Sequence, residues 1–225
     1  MGLLSMGPPA FPGTVYGVAL NVKGAVEALG DAVHAPPYKA PPQAPVLYIK
    51  PPNTYLASGG MVALPQGVEA LEVQPTLGLV IGRTATRVAE EGAWAHVAAM
   101  VLAAEVCLPH TSLYRPAIRQ RCRDGFLPLG SPQPPTLAAV EVRLKLDGVL
   151  KASLSTADLV RPIPRLLAEL TDFMTLFAGD VLLVGLPVGQ DLVEAGTEVS
   201  VEADGFPTLR FGVASELDLD EGEAA

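Results

Sequence analysis

The sequence predicts one β-rich α+β domain with a mostly antiparallel core. Glycine and proline number 22 each among 225 residues, which is too many breakers for a helical bundle and suits short strands joined by turns. Apolar and charged residues alternate over residues 140–146, as in a half-buried strand. The Asp147-Gly148 pair that follows predicts a hairpin turn into residues 149–153. Strands therefore outnumber helices, and hairpins join most of them.

Three strands are predicted in the first half of the chain from short apolar runs. They are residues 15–20, 46–50 and 76–81. A short helix is predicted over residues 22–29, ending at Gly30, and residues 35–45 form a proline-rich loop. Residues 89–98 have helical periodicity, but the apolar run that continues to residue 106 fits either a helix or a buried strand.

Residues 112–121 are predicted to be helical, with Pro116 in the first turn. A second, amphipathic helix is predicted over residues 163–173. The remaining elements of the second half are strands that follow turn-forming pairs. The Gly179-Asp180 pair leads into a strand at residues 181–184, and Asp204-Gly205 joins a hairpin of residues 198–203 and 208–213.

Length and composition are consistent with one principal domain. Hydrophobic residues make up 49% of the chain, enough for one domain with a substantial core or one domain with a small cap. We expect an N-terminal extension over residues 1–13 and a single domain over residues 14–215. Residues 216–225 are acidic and small, and we expect a solvated, disordered tail.

The charge balance and the cysteines limit the function and the compartment. A net charge of −9 argues against general binding to nucleic acids or anionic membranes. Cys107 and Cys122 form no CxxC pair, so we expect free thiols in a reducing compartment. The N-terminus lacks a basic segment of the kind that begins a signal peptide, and the longest apolar stretch, residues 97–104, is too short to span a bilayer. The expected location is the cytoplasm.

Six segments, in order, resemble the fumarylacetoacetate hydrolase superfamily. They are VALNVK (18–23), YIKPPNT (48–54, like F-L-K-P-P-S), LGLVIGR (77–83, like E-L-A-V-V-I-G-R), RDGFLPLG (123–130, like F-D-T-F-C-P-L-G), STADL (155–159, like N-T-x-D-M) and TLFAGDVLLVGLP (175–187, like T-L-E-P-G-D-V-I-L-T-G-T-P). The matches extend from about residue 14 to residue 213. The resemblance implies a fumarylacetoacetate hydrolase C-terminal-domain-like mixed β-sandwich or roll with short peripheral helices.

A closer likeness is carried by three further segments. They are YKAPP (38–42), YRPAI (114–118) and CRDGF (122–126). These resemble the N-terminal half, or separate first subunit, of the bifunctional isomerase/decarboxylases of homoprotocatechuate (4-hydroxyphenylacetate) catabolism. The resemblance implies action on 2-hydroxyhepta-2,4-diene-1,7-dioate and 5-carboxymethyl-2-oxo-hex-3-ene-1,7-dioate. It also implies a homodimer, or a hetero-oligomer with a homologous subunit.

The family's metal site is altered in this sequence. Its members hold Mg²⁺ or Mn²⁺ with a Glu-x-Glu pair and a later Asp, and the resemblance places Gln74, Thr76 and Glu105 at those positions. Gln and Thr bring no negative charge, so affinity for a hard dication should fall sharply. Glu105 is either a surviving metal ligand or acid/base group, or the partner of an arginine in an ion pair. Leu186 replaces the threonine of the family's T-G-T-P segment.

Three residues are candidate catalytic groups. Besides Glu105, they are His110 and Lys50. His110 is either a general base or a loop histidine without a chemical role. The resemblance makes Lys50 an active-site cation, whereas a lysine at a strand end is otherwise usually solvated.

Arginines around residue 120 are candidates for binding substrate carboxylates. Arg121 stands where the family has a lysine, and with Arg115 it could clamp a dicarboxylate through bidentate hydrogen bonds. Alternatively, Arg115 and Arg119 are four residues apart and could form a solvated helix face. The resemblance adds Asn21 and Asp124 to the substrate-binding residues.

Two principal functions follow from the resemblance, and a third stays open. The chain is either a catalytic subunit of the metal-dependent isomerase/decarboxylase or a non-catalytic partner of a homologous chain with an intact metal site. The third alternative is a binding protein for 2-oxo dicarboxylates. No serine-hydrolase, dinucleotide-binding, P-loop or zinc motif indicates another class.

Overall fold

The computed structural model describes residues 13–36, 39–110 and 117–223, and the side chains up to residue 219. Within these residues the chain forms thirteen strands. In chain order they are β1 (Val15–Ala19), β2 (Val46–Lys50), β3 (Tyr55–Ala57), β4 (Met61–Leu64), β5 (Leu71–Ile81), β6 (Val97–Cys107), β7 (Leu127–Leu129), β8 (Glu141–Leu146), β9 (Val149–Ser155), β10 (Val181–Leu183), β11 (Asp191–Val193), β12 (Glu198–Glu202) and β13 (Leu209–Ser215).

The helices of the described residues are short and lie between or after the strands. The α-helices are α1 (Ile118–Arg121), α2 (Ile163–Phe173) and α3 (Glu216–Glu223), and the 3₁₀-helices are Glu27–Val33, Pro52–Thr54, Glu90–His96 and Thr156–Asp158. No helix among the described residues is long and apolar enough to cross a membrane.

The strands form two mixed sheets that pack against each other. The larger sheet has the order β2-β1-β10-β5-β6-β7-β3, and β11 pairs with the first part of β5. The smaller sheet has the order β4-β13-β12-β8-β9. Strand β5 contacts β8 and β9, and β6 contacts β12, so the main core lies between the sheets. This architecture confirms the predicted β-rich α+β class.

Strands β5 and β6 separate the core from a second, more polar face. Side chains alternate across a strand, so Leu71, Val73 and Leu77 point into the main core while Glu72, Gln74 and Thr76 point to the other face. Nearly every residue of both strands is buried. Covering on both faces explains why their apolar runs do not alternate cleanly in the sequence.

Several predicted elements are confirmed. The β8–β9 hairpin turns at Asp147 (φ 48°) and Gly148 (φ 79°), and the charged residues of β8 point outward while its apolar ones are buried. Helix α2 covers the predicted residues and buries Ile163, Leu166 and Leu170. The β12–β13 hairpin also forms, and β5 begins five residues before the predicted strand.

Two segments differ from the sequence predictions, and a third settles an ambiguity that the sequence left open. The helix predicted over residues 22–29 is wrong: turns fill its first half, and a 3₁₀-helix follows that is broken at Gly30, where φ is +53°. The ambiguous stretch after residue 97 is strand β6. The acidic C-terminus, expected to be a solvated tail, is helical as α3, and Glu216 there accepts a hydrogen bond from the Gln66 N–H at 3.1 Å. Most of the helix predicted before residue 118 lies outside the described residues.

Candidate functional site

A cavity of about 280 Å³ opens on the polar face of β5. Residues 19–29, from the end of β1 into the first 3₁₀-helix, form one wall, and residues 186–190 after β10 form another. Gln74 and Arg121 line it from the sheet side, and Leu186 contributes an apolar surface where the family's threonine would bring a hydroxyl. The cavity therefore brings together three positions that the sequence predicted to share one site.

Gln74 and Thr76 hold the cavity wall in place. The Gln74 side-chain amide donates to the carbonyls of Pro187 at 2.8 Å and Gly189 at 2.7 Å. The Thr76 hydroxyl donates to the Gly185 carbonyl at 2.7 Å. Carboxylates at these positions could not donate, so the two substitutions replace potential metal ligands with donors that fix residues 185–189.

Glu105 is the centre of a buried ion-pair group. It is paired with Gln74 across the β5–β6 ladder and is 1% exposed. Its Oε1 accepts from Lys50 Nζ at 3.1 Å and from Arg121 Nη1 at 2.8 Å. The alternative of an arginine ion pair is thus what the geometry shows, and a lysine joins it. Two cations share one carboxylate, which leaves the group with one excess positive charge.

Lys50 is fully buried at the end of β2. Besides Glu105, its ammonium donates to the backbone carbonyls of Arg121 at 2.6 Å and Val106 at 3.2 Å, so all three donors have partners. Burial lowers the pKa of Lys50, and the Glu105 carboxylate offsets part of that effect. A strand-end lysine usually reaches solvent, whereas this one ties β2 to β6 and α1.

Tyr48 lies beneath the arginine. The Arg121 guanidinium is 5.1 Å from the centre of the Tyr48 ring, within cation–π range. Gly17, opposite on β1, allows this packing, because a Cβ there would overlap the ring. Burial, and then the negative charge of Glu105, raise the pKa of Tyr48 well above its usual value. The Tyr48 hydroxyl and Glu105 Oε2 are buried with no hydrogen-bond partner among the described residues.

His110 connects this group to a neighbouring cluster. Its Nδ1 is 3.0 Å from the Leu108 carbonyl, which assigns the proton to Nδ1, and its Nε2 accepts from Arg121 Nε at 3.3 Å. The same Nδ1 is 3.9 Å from Glu72 Oε2, and Cys107 donates its thiol hydrogen to that oxygen at 3.3 Å. Burial raises the pKa of Cys107 to about 12.

The residues at the family's metal position do not fit Mg²⁺ or Mn²⁺. The side chains of Gln74 and Thr76 donate hydrogen bonds to backbone carbonyls. The single negative charge of Glu105 is already paired with the positive charges of Lys50 and Arg121. A hard dication needs anionic oxygens, and here it would meet a net positive group.

The other predicted site residues among those that the structure describes are not part of the cavity lining. Asn21 is fully buried, and its amide bonds to backbone groups of Arg161 and Val184, joining three segments of chain. Asp124 is exposed and accepts from Asn53 at 2.6 Å. Arg119 is exposed on α1, and Arg115 lies outside the described residues. The substrate-binding roles of Asn21, Asp124 and Arg115 stay predictions.

Three residues of this region were not predicted from the sequence to belong to the site. They are Tyr48, Glu72 and Cys107. Each is two residues from a predicted site residue on the same strand, and so shares its face: Tyr48 with Lys50 on β2, Glu72 with Gln74 on β5, and Cys107 with Glu105 on β6. The strand period alone would have found Tyr48, which lies in the strand predicted over residues 46–50, whereas Glu72 precedes the strand predicted over residues 76–81.

Comparison with known proteins shows the family to which this chain belongs. The model of the fumarylacetoacetate hydrolase C-terminal domain matches residues 14–214. The chain belongs to the fumarylacetoacetate hydrolase family. It is 40% identical over 210 residues to the 4-hydroxyphenylacetate degradation bifunctional isomerase/decarboxylase of Escherichia coli, covering 92% of this chain and 48% of that protein. The chain thus spans about half the length of this relative.

Other relatives are matched over most of their own length. A mitochondrial oxaloacetate tautomerase of Arabidopsis thaliana is 28% identical over 212 residues, covering 90% of this chain and 91% of that protein. Among solved structures, the 5-carboxymethyl-2-hydroxymuconate delta-isomerase of Mycobacterium smegmatis superposes with a TM-score of 0.76 at 25% identity, covering 93% of this chain and 79% of that one. The fumarylpyruvate hydrolase of Pseudomonas aeruginosa, solved with Mn²⁺ and pyruvate, gives a TM-score of 0.74 at 20% identity, covering 91% and 90% of the two chains.

Proposed function

We propose that this chain is a non-catalytic subunit of a two-part isomerase/decarboxylase of aromatic-acid catabolism. A homologous chain with an intact Glu-x-Glu and Asp site would perform the metal-dependent chemistry on the dioate. The chain spans about half of the bifunctional relatives, which supports a role as one of two homologous parts.

The observation that carries this proposal is the ion-pair group at Glu105. Its Oε1 accepts from Lys50 at 3.1 Å and Arg121 at 2.8 Å, and the two positions that would complete a metal site hold Gln74 and Thr76. A metal that stabilises an enolate as a Lewis acid needs a vacant anionic site, and this group offers a cationic one. The buried contacts hold β2, β6 and α1 together instead, which is a structural role.

Assay with and without a partner tests the proposal. The purified chain should show no decarboxylation of the 5-carboxymethyl-2-oxo-dioate or isomerisation of the 2-hydroxy-diene-dioate in the presence of Mg²⁺ or Mn²⁺. Co-expression with a homologous chain that carries the intact carboxylates should give a stable complex and activity. Activity of this chain alone that is lost in Glu105→Gln, but retained in Glu202→Gln, would contradict the proposal.

A second candidate function is binding of a 2-oxo dicarboxylate without a metal. The specific observation is the cavity itself, which Arg121 lines and in which the adjacent charges leave one positive charge in excess. Arginine recognises carboxylates through paired N–H donors. Relatives named as oxaloacetate tautomerases act on a small 2-oxo dicarboxylate, which supports this ligand class.

Calorimetric titration with oxaloacetate or 2-oxoglutarate in excess EDTA tests this second function. Binding should occur without added metal. It should weaken at high ionic strength, because salt screens the attraction between Arg121 and the carboxylates of the ligand. Arg121→Met should abolish binding, whereas Arg119→Met, an exposed arginine of the same helix, should leave it unchanged. Binding that requires Mn²⁺ would contradict the metal-free function.

A further inference from the structure

We propose that Glu72, Cys107 and His110 form a binding site for a thiophilic divalent cation such as Zn²⁺, displaced along the sheet from the family's Mg²⁺/Mn²⁺ position. Glu72 and Cys107 are partners across the β5–β6 ladder, just as Gln74 and Glu105 are. Two residues along a strand correspond to about 7 Å, so the three residues form a separate group on the same buried face. This inference is independent of the function proposed above.

The spacing of the three ligand atoms suits tetrahedral coordination. Zn²⁺ bonds of about 2.3 Å to sulfur and about 2.0–2.2 Å to nitrogen or oxygen place neighbouring ligand atoms about 3.4–3.6 Å apart. Cys107 Sγ is 3.3 Å and His110 Nδ1 is 3.9 Å from Glu72 Oε2, and all three atoms lie within 4.8 Å of one another. Completing the geometry requires the His110 ring to turn from the Leu108 carbonyl toward the other two ligand atoms, and it leaves a fourth position for water.

The chemistry of the donors selects the metal. A thiolate and an imidazole favour Zn²⁺, Co²⁺ or Fe²⁺ over Mg²⁺ and Mn²⁺. Glu72 and a Cys107 thiolate together would bring two negative charges and so balance a dication. The Cys107 thiol would release its proton when the metal binds. Glu72 and His110 side chains are each 9% exposed, so the group is shielded yet open to an ion from one side.

Metal binding would change the contacts of His110. His110 Nδ1 faces the Leu108 carbonyl, and its Nε2 accepts from Arg121 Nε. A bond from Nδ1 to the metal leaves the ring proton on Nε2, where it would oppose the Arg121 N–H. Arg121 must then release His110 while it keeps Glu105. The site therefore links metal occupancy to the position of the guanidinium that lines the cavity.

Titration of the full chain with Co²⁺, followed by absorption, tests the proposal. We expect one Co²⁺ per chain with a thiolate-to-cobalt charge-transfer band in the near ultraviolet. Equimolar Zn²⁺ should remove the band, whereas excess Mg²⁺ should not. Cys107→Ser should lose the band, and Glu72→Gln or His110→Gln should weaken Co²⁺ binding by more than about tenfold.

Cys122→Ser is the matched control, because Cys122 is the other free cysteine and lies outside the cluster. It should keep the full band. The proposal is overturned if the folded wild-type chain, checked by circular dichroism, shows no thiolate band with excess Co²⁺. It is also overturned if the band survives in Cys107→Ser or disappears in Cys122→Ser. The wild-type spectrum is decisive on its own should a buried-site variant fail to fold.

Discussion

Glu105→Gln is the substitution that most strongly tests the ion-pair group. Glutamine keeps the size of the side chain and removes the charge that Lys50 and Arg121 share at 3.1 and 2.8 Å. Removing one partner of a buried ion pair costs about 3–5 kcal/mol, because the other charge stays buried and unpaired. Here two cations lose their partner, so we expect the upper part of that range. For a chain of this length, a cost of about 4–5 kcal/mol should lower the melting temperature by about 8–20 °C.

Urea unfolding at several pH values provides the assay. Burial lowers the pKa of Lys50 in the folded chain, and loss of Glu105 should lower it further. Between that folded pKa and the ordinary value, the unfolded state binds more protons, so the free energy of unfolding of the variant should rise with pH. In wild type the same rise begins only above its higher folded pKa, so the deficit of the variant should shrink as the pH is raised toward the ordinary lysine value.

Glu202→Gln provides the matched control. Its carboxylate bonds to Lys145 at 2.7 Å, but both side chains are partly exposed, at 24% and 32%. Exposed pairs contribute about 1 kcal/mol or less, so this variant should be nearly as stable as wild type. If Glu105→Gln costs no more than Glu202→Gln, or if its deficit grows with pH, the assignment of a charged, buried Lys50–Glu105–Arg121 group is refuted.

Three further predictions follow from the same face of the sheet. Thr76→Val should lower the free energy of unfolding by about 1–3 kcal/mol in urea titrations, because the Gly185 carbonyl loses its 2.7 Å donor; an unchanged midpoint would contradict this. Gln74→Glu should destabilise the chain more at pH 7 than at pH 4, since an ionised carboxylate would face the Pro187 and Gly189 carbonyls; equal losses at both pH values, by thermal unfolding, would count against that contact. Iodoacetamide at pH 8 should label Cys122 well before Cys107, whose pKa is about 12, as followed by mass spectrometry; faster labelling of Cys107 would show that its thiol is not shielded.

Much of the fold is predictable because its signals are local. The β8–β9 hairpin follows from strict alternation and an Asp-Gly turn, and α2 follows from its 3.6-residue apolar period. The local sequence does not show that β6 is a strand, because a strand covered on both faces lacks the alternation that would distinguish it from a buried helix. The structure around Gly30 is not predictable locally either. Gly30 was expected to end a helix, but it lies inside a 3₁₀-helix and breaks it with a positive φ.

The site is predictable only in part, for a related reason. Sequence reasoning named Glu105, Lys50 and Arg121, and proposed an arginine as a partner of the carboxylate. It could not show that Lys50 reaches the same oxygen, since 55 residues separate the two and the contact depends on how β2 lies in the sheet. Glu72 and Cys107 became neighbours only once the β5–β6 register was known.

Mn²⁺ titration of the purified chain, followed by electron paramagnetic resonance, tests the central claim most directly. The claim is that Gln74, Thr76 and Glu105 have become structural and no longer hold the family's hard dication. The account predicts that added Mn²⁺ keeps the signal of the free aqueous ion. One tightly bound Mn²⁺ per chain, lost in Glu105→Gln and retained in Cys107→Ser, would contradict it.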